Sequence, residues 1–113
     1  MDRLGFYRQS IQGILTAYHE ANLRADSQGI ESQLVFDEGR DQYLLLLMGW
    51  EGDRRVKQVM IHVRVWGGKV WVEEDWTEEG VAMELLAAGV LREEIVLGFH
   101  GPGVRQYTEF AIA

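Results

Sequence analysis

This sequence predicts an α+β fold: an antiparallel β-meander of about four strands packed against an N-terminal helix and a second helix near 77–88. Three patterns carry that expectation. Apolar residues recur at three- and four-residue spacing through the first twenty residues. Apolar alternation then runs from Ile30 to Glu73 and folds back on itself at Gly67-Gly68. A second helical stripe follows from Val81 to Leu86. The 113 residues, 47% of them hydrophobic, fit one domain spanning 1–113 with a sizeable core.

The elements follow in order. Leu4, Tyr7, Ile11, Ile14, Leu15 and Tyr18 make the stripe of the first helix, expected over residues 3–21, with Asp2 as its N-cap. Gly13 weakens it by about 1 kcal/mol relative to Ala. The run Asp26 to Gly29 reads as a loop. Ile30, Ser32, Leu34 and Phe36 share one face of a first strand, and Asp37 to Asp41 turn into the second. Tyr43 to Met48 is apolar on both faces and tightly bracketed, which suits a central strand covered on both sides. One cover is the first helix; a second subunit would supply the other, so a homo-oligomer, most simply a two-fold dimer, is expected.

A third strand spans Arg55 to Trp66. The Gly67-Gly68 turn, tolerant of positive φ, then pairs Val65 with Val70, Arg64 with Trp71, Val63 with Val72 and His62 with Glu73. Arg64 is placed over the Trp71 ring. Asp75, Trp76, Thr77 and Glu78 can form a capping box for the second helix, which Gly89 stops. Ile95 to Phe99 resumes an extended, buried path. After the loop at Gly101, Pro102 and Gly103, alternation from Tyr107 to Ala113 suggests a fifth, C-terminal strand or extended arm. Phe110 and Ile112 are expected to be buried in it. The four tryptophans are expected mostly in the core.

Composition bounds the chemistry. The net charge is −7 and there is no cysteine, so disulfides and thiolate metal sites are excluded. The acidic balance argues against broad phosphate contact. Arg54, Arg55, Lys57 and Arg64 form only a short basic stripe, so nucleic-acid binding is expected to be weak. No apolar run reaches the roughly 18 residues of a membrane span, and the first residues lack the apolar core of a signal peptide, so a cytoplasmic location is expected by default. There is no phosphate-cradling loop, no nucleophile elbow and no paired-histidine metal spacing, so no catalytic residue, metal or cofactor is assigned. A His62–Glu73 acid/base pair is weighed against an ordinary cross-strand polar pair, and the second is favoured. The candidate site is the loop segment with His100, Pro102, Arg105 and Glu109, where Arg105 suits a carboxylate or phosphate. These residues either contact a partner or ligand, or anchor the tail; a small-ligand or enzymatic domain using His100, Arg105 and Glu109 is the alternative.

Ordered residue patterns add a family. Tyr7-Arg8, Phe36-Asp37, Arg40 to Tyr43, Gly49-Trp50, His62, Gly68 to Trp71, Asp75 to Glu78, Glu84-Leu85, Ile95 to Leu97, Phe99-His100, Pro102, Arg105 and Thr108 to Ala113 together resemble the XisI family. Leu91 departs from the proline such proteins often carry there. The resemblance implies a controlling factor for excision of a DNA element during heterocyst development in cyanobacteria. It also implies an XisH-like protein partner and a role beside a recombinase rather than as one.

Overall fold

The computed structural model describes residues 2–25 and 28–113. Asp26 and Ser27, the first half of the predicted loop Asp26 to Gly29, lie outside the described residues; Gln28 and Gly29 form a turn. Helix α1 spans Arg3–Arg24, and Asp2 caps it by accepting the Gly5 N–H at 2.6 Å. Strands β1 (Ile30–Asp37), β2 (Gln42–Glu51), β3 (Arg54–Trp66) and β4 (Lys69–Asp75) form the expected antiparallel meander. Helix α2 (Val81–Ala88) ends at Gly89 in the left-handed conformation. Both helices cover one face. Tyr7, Ile11 and Leu15 of α1 and Val81 and Leu85 of α2 meet Tyr43, Leu45, Ile61, Val63, Val70 and Val72 in one buried cluster.

Four expectations are corrected. The fifth strand is β5 (Ile95–Leu97), and it pairs parallel with β4. The C-terminal alternation yields only a single bridge, Val96 with Ala111, because Pro102–Arg105 forms a short helix, α3, where a loop was expected. The register after Gly67-Gly68 runs as expected to Val63–Val72 and then shifts, so His62 faces Glu74 rather than Glu73. One extra residue in β4 turns Glu73 toward Arg64 at 2.5 Å, and His62 bonds Gln42 at 2.7 Å instead. The capping box does not form. Helix α2 starts at Val81, and Asp75 reaches over the intervening turn to accept its N–H at 2.7 Å. Finally, Trp50, Trp66 and Trp76 are exposed and only Trp71 is buried, because three of the four stand at strand ends or beyond them, away from the helix-covered face.

One polar network locks α1 to the sheet. Arg8 holds both Asp41 carboxylate oxygens, at 2.7 and 3.1 Å, and the hydroxyl of fully buried Tyr43 donates to Asp41 at 2.9 Å. The Arg8 guanidinium holds the Asp41 carboxyl below its ordinary range, against the opposing effect of burial; burial first, and then Asp41, pushes the Tyr43 hydroxyl up to about 12. Because the folded pKa of Asp41 is depressed, its stabilisation is complete above the ordinary carboxylate range and is lost as pH falls through the lowered value. Asp41→Asn retains a residue tolerant of the positive φ of 54° and removes the charge. It is expected to cost about 1–3 kcal/mol at pH 7. The difference from wild type should shrink in urea titrations as the pH falls below the ordinary carboxylate range; a gap that persists in acid would assign the cost to shape rather than charge.

Candidate functional site

Alternation along β3 and β4 sends Arg64 and Trp71 to the face opposite the helices. The C-terminal segment covers them. Gly98 approaches so closely that a Cβ there would collide with the Glu73 carboxylate and touch the Trp71 ring. The Gly98 N–H donates to the Val72 carbonyl at 2.8 Å. The guanidinium carbons of Arg64 and Arg105 each lie 5.2 Å from the Trp71 ring centroid, a spacing favourable for cation–π attraction. Trp66 meets the same ring edge-on, with centroids 5.8 Å apart. Trp71 is thereby 7% exposed although it lies on the face away from α1 and α2. The predicted stacking of Arg64 on Trp71 is present, and Arg105 adds to it.

Arg105 also ties the segment together. Its Nε donates to the His100 carbonyl at 3.0 Å, and its other nitrogens reach the carbonyls of Ile112 at 3.4 Å and Gly98 at 3.5 Å. Five donors in a rigid fork suit this stapling of three backbone acceptors. The His100 ring lies against Phe99, centroids 4.6 Å apart. Pro102 opens α3 on the surface. Glu109 pairs with Arg92, whose guanidinium also sits 5.6 Å from the Phe110 ring centroid. Arg105 and Glu109 thus have separate partners. Ala111 donates to the Ile95 carbonyl at 2.8 Å, and Lys69 contacts the Ala113 carbonyl. Phe110 is half-buried against the core, whereas Ile112 is 57% exposed. The burial expected of Ile112 is therefore corrected: one bridge docks the tail, and beyond Ala111 no strand partner continues it.

His62 is half-buried between Gln42 and Glu74, and burial lowers its pKa. Among the described residues, no cluster of three or more His, Asp or Glu is arranged to hold a metal ion. None of the described helices is long and apolar enough to cross a membrane.

Two arrangements were not assigned from sequence. The Arg8–Asp41–Tyr43 network joins residues that the family resemblance had picked out without giving them a role. Trp76 is also exposed, among tryptophans expected mostly in the core, and its neighbours Glu74, Asp75, Glu78 and Glu79 signal a charged surface.

Comparison with known proteins completes the picture. A search of curated proteins finds no match. The crystal structure of the fdxN element excision controlling factor XisI from Anabaena variabilis is similar at 41% identity and a TM-score of 0.86, covering 99% of this chain and all of that one. An XisI-like protein from the same organism is similar at 35% identity and a TM-score of 0.91, covering 98% of this chain and all of that one. The family model described as XisI protein matches residues 1–112. With sequence and fold agreeing over essentially its whole length, the chain belongs to the XisI family.

Proposed function

We propose that this protein is a non-enzymatic controlling factor in the excision of a DNA element, acting through contacts with an XisH-like partner rather than on DNA itself. The observation that carries the reading is the full-length similarity to a solved excision controlling factor. The surface chemistry supports the route through protein contacts. A net charge of −7 repels phosphate, and two of the arginines, Arg64 and Arg105, are engaged over Trp71. The segment presenting His100, Pro102 and Glu109, fixed from beneath by Arg105, is the proposed partner contact. Stapled backbone presents these groups in one geometry, which lowers the ordering cost of binding.

The sheet face beyond Trp71 supports the proposed homodimer. Leu44, Leu46, Met48 and Val59 are half-buried there and Val35 is exposed, on the side away from the helices. Light scattering at micromolar concentration should read the mass of two chains, and a one-chain mass would contradict the dimer.

The experiment that tests the route is an anisotropy titration of labelled duplex DNA bearing an element end with the isolated protein. At physiological salt, binding weaker than about 1 μM without sequence preference is expected. Specific binding near 10⁻⁸ M, the range of true sequence-specific binders, would overturn the reading.

A further inference from the structure

The stretch from Glu73 to Glu84 carries Glu73, Glu74, Asp75, Glu78, Glu79 and Glu84 and no lysine or arginine. The fold gathers it around one exposed indole. Trp76 is 67% exposed, yet it is fixed at two points. Its Nε1–H donates to Glu74 at 2.8 Å, and its backbone N–H donates to the Met60 carbonyl at 3.0 Å. On one side of the ring lies a recess of about 450 Å³ with an apolar wall of Ala17, Ala21 and Met60 and a rim of Glu78, Glu79 and Glu84. On the other side, a second recess runs between Glu74 and Phe99, whose ring is also exposed.

The polar groups here are incompletely matched within the fold. Glu73 is neutralised by Arg64, and Asp75 is committed to the backbone of Thr77 and Val81. Among the described residues, Glu74, Glu78, Glu79 and Glu84 pair with no cation. Glu84 is raised in pKa by burial first and then by Glu79 beside it, a like-charge contact that a cation would relieve. The Tyr18 ring forms part of the wall of the larger recess, beside Thr77 and Glu84. An apolar trough, an aromatic face and unneutralised carboxylates together match one kind of side chain.

We infer that this groove seats an arginine of a basic segment in a partner protein, with Trp76 stacked on the guanidinium and Glu79 and Glu84 opposite it. The aliphatic stem lies along Ala17, Ala21 and Met60. Arginine fits better than lysine because a planar, weakly hydrated guanidinium both stacks on an indole and bonds carboxylates bidentately. A second basic residue of the same segment fits the recess between Glu74 and Phe99. The inference rests on the reading of the chain as a protein-binding factor and names the chemistry of one partner contact.

The test uses an acetylated Arg-Gly-Arg amide peptide and its citrulline counterpart, titrated into the ¹⁵N-labelled protein. The Trp76 indole N–H resonance, assigned by its loss in Trp76→Ala, should shift saturably with the arginine peptide while those of Trp50 and Trp66 stay in place. The citrulline peptide should produce no such shift. Trp76→Ala should weaken binding about tenfold, as loss of an aromatic anchor does at an interface. Glu79→Gln with Glu84→Gln should weaken it comparably and reduce its salt dependence, without unfolding a protein relieved of two like charges. Equal response to the citrulline peptide, or unchanged binding by both variants, would overturn the inference. The probe is a peptide, so failure of an XisH-like protein to bind would count against that partner and leave the groove's result standing.

Discussion

Gly49→Ala is expected to cost about 3 kcal/mol or more and to leave little folded protein at 37 °C. Gly49 has a φ of 147°, and a Cβ there would overlap the Gly29 carbonyl and crowd the Ile30 Cα. These are backbone atoms, so no side-chain rotation relieves the clash. The same carbonyl accepts the Trp50 N–H at 2.9 Å, which closes the open end of the β1–β2 pair. Moving it aside to admit a methyl group breaks that bond and loosens the sheet edge under α1. Gly13→Ala is the matched control. A Cβ at Gly13 meets nothing within 4 Å in the middle of α1, so the helix should gain about 0.5–1 kcal/mol. Urea denaturation should shift the two midpoints in opposite directions. An unchanged midpoint for Gly49→Ala would deny the close approach.

Truncation after Thr108 is expected to remove about 2 kcal/mol. The deleted residues carry the half-buried Phe110 ring, the Ala111 bond to Ile95 and the Ile112 carbonyl held by Arg105. A fully buried aromatic ring contributes about 1.5–3 kcal/mol and one backbone hydrogen bond about 1 kcal/mol, and the ordering entropy of five residues offsets part of both. The Arg92–Glu109 pair is exposed and adds little. Phe110→Ala should reproduce most of the loss. Ile112→Ala should fall within about 0.5 kcal/mol of wild type, as exposed substitutions do. Equal melting of the truncated and intact chains would make the tail passive and withdraw its role in shaping the proposed contact.

The legible parts of the fold were those specified locally. Helix α1 declared itself through its stripe and Asp2, and the β3–β4 hairpin through two glycines that fix where the chain turns. The bulge that moves His62 from Glu73 to Glu74 leaves no local mark, because it depends on Arg64 drawing Glu73 to itself across the strands. Strand β5 pairs parallel through a crossover, so its partner lies more than twenty residues away and no turn announces it. Asp75 is not the N-cap the sequence suggests, because α2 starts six residues on and is preceded by Gly80, and its carboxylate instead reaches across the turn to the Val81 N–H. In the candidate site, Arg105 was identified as important from its loop. That it lies over Trp71 while holding three carbonyls follows only from the fold. The acidic groove around Trp76 is not legible from the tryptophan count, which favours the core for most of the four, although the carboxylates flanking this one call for a solvated surface.

The most direct test of the account is calorimetric titration of an XisH-like protein with this chain, wild type and Arg105→Ala. Saturable binding at micromolar or tighter affinity is expected for wild type. Arg105→Ala should keep its fold and bind more weakly, since its loss frees the segment that presents His100, Pro102 and Glu109. Absence of binding by the wild-type chain at tens of micromolar, with both proteins folded, would contradict a controlling factor that works through this partner.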